Sequence, residues 1–366
     1  MTRSKGPVKL VLAAGGTGGH IFPALAVALE CRRRIERCGL LWIGSARNRE
    51  RELARAHDIS LCVLNVQGLS RSLSPGNVGA MMSFVRAVGK TRAVLADFSP
   101  DAVIAFGGYV CAPALCAARL SATPYYLQEQ NTVPGMVNRW FAKKARTTFL
   151  GFPLAPRYRL KGPANLTRTP VRQVTGTYDD FSYPDGFERE ARTVLICGGS
   201  QGAASMNEAL LETMAQKASG GVQIVWQTGA HSFARVEDRM RSFANVFVRE
   251  SIADLYPFYA RASLVICRAG ASTLNEIAFF GRPCIMIPLP WAAENHQWMN
   301  AGLVENQGWG VRIEQNDDCG ARVGQAFDMI LNDTNRYEQM SRKALDNSPA
   351  NAAGEIVETI CRDLGA

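Results

Sequence analysis

The sequence predicts an α/β protein made of two doubly wound parallel-sheet domains, and three observations predict it. Short apolar runs alternate with longer amphipathic stretches along the whole chain, the pattern of βαβ units. A strand, Gly-Gly, small polar residue, glycine and helix signature occurs twice, as "VLAAGGTGG" and "VLICGGSQG". A chain of 366 residues also exceeds one ordinary core, for which about 150 residues is the usual measure.

In the first half "VKLVLAAGG", "GLLWIGS", "ISLCVLNV", "DAVIAFGG" and "TPYYLQEQN" read as strands; in the second "TVLICGGS", "VQIVWQTG", "ANVFVRE", "SLVICRAG" and "PCIMIPLP" do the same. Each is a short apolar run bounded by turn residues. Between the halves lies "GFPLAPRYRLKGPANLTRTPVR", residues 151–172, which is rich in proline and basic residues and lacks periodicity. It reads as a linker. The expected domains are 1–168 and 169–348, followed by an amphipathic helix at about 349–366 that periodicity leaves free to join either.

At 47% hydrophobic and 20% charged, the composition supports packed cores in both halves. The net charge of +9 hides an asymmetry: residues 1–170 carry 24 basic and 8 acidic side chains, residues 171–366 carry 17 and 24. A basic half suits an anionic membrane surface or steers anionic ligands, and it can also be merely a solvated face. A nucleic-acid partner is not expected, because the interleaved aromatic and basic motifs of the usual modules are missing. The ten cysteines show no CxxC spacing and several lie in strand-like runs, so they read as buried free thiols in a reducing compartment. The N-terminal apolar run is strand-length and ends in glycines, unlike a signal peptide. The charge-free apolar stretch 102–118 falls short of the roughly 20 residues of a spanning helix and contains Gly107, Gly108 and Pro113.

Two motifs carry chemistry. In "GGTGGH" the residues Gly16, Thr17, Gly18 and Gly19 let backbone N–H groups approach an anion at a helix N-terminus. The same glycines also suit a tight turn with no ligand. As a dinucleotide fingerprint the loop is poor, since Ile21 stands where a third glycine belongs. His20 sits where loop meets helix, a place that favours the neutral imidazole able to accept a proton, or it caps the turn and packs on Pro23. In "CRAGASTLNE", Ser272 and Thr273 can donate to phosphate and Glu276 can accept from a ribose diol, although Thr273-x-x-Glu276 also fits a capping box. No Asp-x-Asp pair occurs, so a bound diphosphate would meet helix ends, hydroxyls and a cation such as Arg172, with no metal cage.

In "NVGAMMSFVRAVGKTRAV", Val78, Met81, Met82, Val85 and Val88 share a helical stripe, with Phe84 nearby and Arg86 and Lys90 on another side. That is an interfacial helix or a core-facing stripe.

The segments "GGTGGHIFPALAVA", "FGGYVCAPALCAA", "LQEQNTVPGMVNRWFAKKA", "TPVR", "GGSQGAASMNEAL", "CRAGASTLNEIAFFGRPCIMIPLP" and "ENHQWMNA", in this order, resemble the MurG family of peptidoglycan glycosyltransferases, which add N-acetylglucosamine to lipid I. The resemblance covers nearly the whole chain. It implies a GT-B fold, two Rossmann-like domains facing across a cleft, with UDP-GlcNAc held mainly by the second and the last helix returning to the first. By motif position it implies that Ser200, Ala271, Ser272, Thr273, Leu274, Asn275 and Glu276 meet the diphosphate and ribose, with Glu276 on the ribose hydroxyls. Ile252 is expected to offer its backbone to uracil, Asn131, Arg172, Gln297, Thr17, Gly18 and Gly19 to contact the donor, and Gly16, Gly108 and Tyr109 to lie on the acceptor side. Thr169 departs from the asparagine usual before "PVR", and Glu294 from a common aspartate.

The implied reaction is an inverting displacement at the sugar's anomeric carbon by the C4 hydroxyl of lipid-linked MurNAc. His20 is the candidate base and Glu129, in "QEQN", its rival. The implied partners are UDP-GlcNAc as co-substrate, lipid I, the anionic cytoplasmic face of the cell membrane and cell-wall synthesis proteins. No further cofactor and no metal ligand set is implied. Other readings are a UDP-GlcNAc epimerase, a transferase to a different acceptor, or a non-catalytic nucleotide-sugar sensor.

Overall fold

All ten expected strands form, and three short ones join them in a computed structural model that describes residues 7–45, 48–66, 76–174, 178, 181–199 and 202–365. The chain divides into two units, 1–172 with 350–366, and 173–349.

The first unit runs β1 (Val8–Ala14), α1 (Gly18–Arg34), β2 (Cys38–Gly44), α2 (Asn48–Ala56), β3 (Ser60–Val63), α3 (Gly76–Phe98), β4 (Ala102–Gly107), α4 (Cys111–Leu120), β5 (Tyr125–Glu129), α5 (Met136–Phe141), β6 (Thr148–Leu150) and β7 (Ala164–Leu166). These strands form one parallel sheet of order β3-β2-β1-β4-β5-β6-β7. The second unit runs β8 (Thr193–Cys197), α6 (Ala204–Ser219), β9 (Gln223–Gln227), α7 (Ala230–Met240), β10 (Val246–Arg249), α8 (Tyr256–Arg261), β11 (Leu264–Cys267), α9 (Ala271–Phe279), β12 (Cys284–Met286), α10 (His296–Gln307), β13 (Gly310–Arg312), α11 (Cys319–Leu331) and α12 (Thr334–Asp346). Its sheet, also parallel, has the order β10-β9-β8-β11-β12-β13. The last helix, α13 (Ala352–Leu364), packs Ile356, Val357 and Ile360 into the core of the first unit, and Tyr126 Oη donates to Asp363 at 2.9 Å.

Both sheets are covered on both faces, which is why their strands read as continuous apolar runs instead of alternating ones. In the first unit α1 and α13 cover one face and α3, α4 and α5 the other. The sheet orders place a topological switch between β1 and β4 in the first unit and between β8 and β11 in the second. In open parallel sheets ligands bind outside the strand C-termini at such points. Both glycine motifs sit there.

The stretch 151–172, expected as a linker, belongs to the first unit and supplies β7 to its sheet edge. Ala164, Asn165 and Leu166 are all exposed, so this strand shows no apolar pattern. β6 and β13 are equally short, three residues each, and unlike the three-residue β12 in "PCIMIPLP" they are not embedded in a longer apolar run.

Candidate active site

At the first switch point β1 ends in the loop Gly15–Thr17, and α1 starts at Gly18. His20 lies in the first turn of α1, half-buried, and its Nδ1–H donates to the Gly15 carbonyl at 3.2 Å. A carbonyl can only accept, so the neutral ring carries its proton on Nδ1 and leaves the Nε2 lone pair free. Burial lowers the pKa of His20 below its ordinary value, partly offset by the Gly15 bond. The neutral form is therefore favoured.

The loop after β4 closes against this ring. A Cβ on Gly107 would lie 2.5 Å from His20 Cδ2, and one on Gly108 would lie 2.1 Å from the Gly15 oxygen. Both glycines also have positive φ, +118° and +88°, a conformation that side chains disfavour. The Cys111 thiol beneath the loop bonds the carbonyls of Ala13 and Gly107 at 3.1 and 3.0 Å, and burial pushes its pKa up to about 12. It is an inert packing group. Tyr109 projects outward, 69% exposed.

The Gly16 N–H donates to Glu50 at 3.0 Å, so this donor is engaged by the protein itself. Nothing in the polar run "NRERELARA" marks one of its two glutamates as buried.

Glu129, the rival base, is buried at the end of β5. Its two oxygens accept from the Asn131 N–H (3.0 Å), Asn131 Nδ2 (3.4 Å), the Gly135 N–H (2.8 Å) and Asn138 Nδ2 (2.8 Å). Burial raises its pKa and these donors oppose the rise. Four donors on two oxygens make Glu129 the clamp of the 130–135 loop and occupy the lone pairs a base would use. An E129Q variant is expected to lose about 1–3 kcal/mol of stability in denaturant unfolding, because one amide N–H must face a donor.

At the second switch point β8 leads through Gly198 and Gly199 toward α6. Ser200 lies outside the described residues. Gln227 ties this loop to the next: its Nε2 donates to the Gly199 carbonyl at 3.4 Å and its Oε1 accepts the Ile252 N–H at 3.0 Å. Ile252 thus has its N–H engaged.

The helix α9 begins at Ala271 with Gly270 as its N-cap residue, and that cap carries no side-chain bond. Thr273 is the third residue of the helix, so the capping-box alternative for Thr273 and Glu276 does not apply. Ser272, Thr273 and Glu276 are partly exposed, whereas Ala271, Leu274 and Asn275 are buried. Asn275 Nδ2 donates to the Ala271 carbonyl at 2.8 Å. Gln297, in the first turn of α10, accepts the Leu289 N–H at 3.0 Å. Arg172 and Asn131 belong to the first unit, Arg172 exposed and Asn131 partly so.

Arg268, visible in "CRAG" but not singled out there, follows β11 directly and is only 5% exposed. Its Nη1 donates to the Ile287 and Pro288 carbonyls at 2.9 and 3.3 Å, and its Nη2 to Ser205 Oγ at 3.1 Å. No carboxylate pairs with it among the described residues, and its Nε is buried without a hydrogen-bond partner. Burial pushes its pKa down to about 10. This is a buried cation lacking an anion.

The α3 stripe is divided by the fold. Met81, Met82 and Val85 are 51%, 50% and 61% exposed, while Val88 packs against the core beside Ala87 and Phe84 is half-buried. Val88 thus serves the core-facing alternative, because the buried line of α3 is Ala80, Ala87, Thr91 and Leu95. Arg86 is exposed; Lys90 Nζ is tied to the Val63 carbonyl at 2.8 Å. The Val78 side chain lies outside the described residues. Elsewhere in the unit Trp140 and Leu120 are 66% and 62% exposed. A groove of about 690 Å³ at the N-terminal ends of β5, β6 and β7 gathers Arg119, Lys143, Lys144 and Arg146. It lies at the end of the sheet opposite the glycine loops, so it is separate from the candidate active site.

Among the described residues, no group of three or more His, Cys, Asp or Glu side chains is placed to hold a metal ion. No helix among them is long and apolar enough to cross a membrane.

Residues 10–150 match the glycosyltransferase family 28 N-terminal domain, and residues 193–356 match the glycosyltransferase family 28 C-terminal domain. The chain is 33% identical over 342 residues to the UDP-N-acetylglucosamine--N-acetylmuramyl-(pentapeptide) pyrophosphoryl-undecaprenol N-acetylglucosamine transferase of Halalkalibacterium halodurans, covering 92% of this chain and 94% of that one. Its structure is similar to that of Acinetobacter baumannii MurG, with a TM-score of 0.75 and 27% identity over 98% of this chain and all of that one. A UDP-GlcNAc 2-epimerase from Neisseria meningitidis, 17% identical with a TM-score of 0.67 over 97% of this chain and 100% of its own, shares the fold alone. With two switch-point loops, one bearing a neutral histidine and the other a buried cation, and with both family 28 domains matched in order, the chain has the GT-B fold and belongs to the MurG family of N-acetylglucosaminyltransferases.

Proposed function

We propose that the protein transfers GlcNAc from UDP-GlcNAc to the C4 hydroxyl of MurNAc in undecaprenyl-pyrophosphoryl-MurNAc-pentapeptide, lipid I, with inversion at the anomeric carbon, giving lipid II. The observation that carries this reading is the His20 ring, held by the Gly15 carbonyl with its Nε2 lone pair free at a sheet switch point.

In the reaction the C4 oxygen bonds to the anomeric carbon as the bond to the UDP oxygen breaks. The hydroxyl proton passes to His20 Nε2, and UDP leaves with the bonding pair. Positioned proton transfer of this kind contributes roughly 10²–10⁴-fold to rate. The growing negative charge on UDP is met by the N-terminus of α9, whose first-turn N–H groups and dipole favour an anion, and by the uncompensated charge of Arg268. Glu276 holds the ribose hydroxyls, Ser272 and Thr273 donate to phosphate, and the Ile252 carbonyl is left for uracil because its N–H serves Gln227. Ser200, Gln297, Asn131 and Arg172 complete the donor contacts.

The test is UDP release from UDP-GlcNAc with and without a lipid I analogue. Release only with the analogue is expected. Conversion of the sugar without acceptor would favour an epimerase, and binding with no release would favour a sensor.

The acceptor is membrane-anchored, and we place the exposed apolar residues Met81, Met82, Val85 and Trp140 together with the Arg119, Lys143, Lys144 and Arg146 groove at the anionic cytoplasmic leaflet. Binding to anionic vesicles is expected to fall steeply between about 0.1 M and 1 M salt, as the Debye length shrinks from about 10 Å to 3 Å. Co-sedimentation that ignores salt would refute the electrostatic part.

A further inference from the structure

One buried carboxylate of the first unit has no role in the reaction described so far. Glu50 is fully buried although it lies on α2, whose sequence "NRERELARA" is otherwise strongly polar. Its Oε1 accepts from the Gly16 N–H at 3.0 Å and from Ser45 Oγ at 2.6 Å, and its Oε2 accepts the Ser45 N–H. The pocket is shaped to admit the carboxylate: a Cβ on Gly44 would lie 2.6 Å from Oε2.

The Gly15 carbonyl and the Gly16 N–H belong to one planar trans peptide and point in opposite directions. One end of that unit is held by Glu50, and the other receives His20 Nδ1–H. Glycines flank the peptide on both sides, and Gly16 has φ +99°, so the local backbone permits the plane to turn over. With the plane turned, an N–H would face Nδ1, Nδ1 would have to accept, and the proton would move to Nε2. The base would then be blocked.

We propose that Glu50 is a positioning residue that locks the Gly15–Gly16 peptide and thereby holds His20 in the tautomer with Nε2 free. The role rests on His20 being the base, while the geometry of the lock is independent of it. Charge-assisted bonds to a carboxylate are about twice as strong as neutral ones, which suits a lock on a plane that glycines leave loose. Of the described groups around the imidazole, Cys111 is bonded to the Ala13 and Gly107 carbonyls and Gly107 offers only backbone, so among the described residues the Gly15 carbonyl is the Nδ1 partner.

The experiment is ¹⁵N NMR of histidine-labelled full-length protein at neutral pH, the His20 signal being assigned by its loss in an H20Q variant; four histidines keep the spectrum simple. Wild type is expected to show the Nδ1-protonated form. E50A is expected to shift His20 toward the Nε2-protonated form and to lower kcat about 10- to 100-fold, part of what a general base supplies. Its UDP affinity and its KM for UDP-GlcNAc are expected to stay within about twofold. E50Q, which keeps the volume and one acceptor, should fall between the two and serves if E50A does not fold. An Nε2-protonated His20 in wild type, or an unchanged tautomer and kcat in folded E50A or E50Q, would overturn the assignment. Wild-type protein that fails to bind UDP would overturn the donor reading while leaving the tautomer result standing.

Discussion

An H20A variant is expected to lose about 10²–10⁴-fold in kcat with UDP affinity within about twofold of wild type. The split follows from where His20 sits: it is in the first unit, whereas the α9 N-terminus and Arg268, proposed to meet the diphosphate, are in the second. A group that acts only while the hydroxyl loses its proton affects turnover and not the binding of UDP. The pH dependence gives a second check. Because burial lowers its pKa, His20 should stay neutral down to pH values below the ordinary 6.5, so the acid limb of kcat/KM lies below 6.5 and activity is flat through neutrality. Activity falls only as the solution becomes acidic enough to protonate Nε2. In H20A that limb should vanish. Near-normal turnover in H20A, with a strong loss in E129Q at unchanged stability, would transfer the base role to Glu129.

The second large effect is expected at Arg268. R268M removes a buried cation that, among the described residues, bonds two carbonyls and a hydroxyl and has no anion. A hydrogen bond to a charged group contributes about 1.5–3 kcal/mol, so UDP is expected to bind on the order of 10- to 100-fold more weakly. Isothermal titration reads this directly. The rise in melting temperature on adding UDP should shrink in parallel, since stabilisation depends on ligand concentration relative to Kd. R268K keeps a charge and loses the fork that grips the 287–288 carbonyls and Ser205 together, so it should recover part of the affinity. UDP binding at wild-type strength in R268M would show that the guanidinium braces the loop and does nothing for the donor.

The membrane-facing residues show how helical spacing can mislead. Val88 and Val85 share a stripe by periodicity, yet Val88 packs on the core and Val85 is 61% exposed. Val88 lies three residues after Val85, and at 100° per residue that step sets it about 60° round toward the buried line of Ala80, Ala87, Thr91 and Leu95. The basic groove escapes any linear reading. Arg119 closes α4, Lys143 and Lys144 follow α5, and Arg146 precedes β6; only the sheet brings their ends together.

The chain's order of apolar runs determined the fold class, because a strand buried on both faces is apolar throughout and is legible wherever the run around it exceeds about four residues. The same order placed both glycine loops at strand ends before helices, and so His20 and the 271–276 segment where a ligand is met. What only the tertiary structure decided is which polar side chains turn inward. Glu50 against its exposed neighbour Glu52, Glu129 as a clamp, and Arg268 as an unneutralised cation depend on donors and carbonyls of the Gly16 loop, the loop after β5 and the end of β12, which only the folded chain turns toward them. Sequence spacing carries little information about those partners, since many are main-chain groups that every residue possesses.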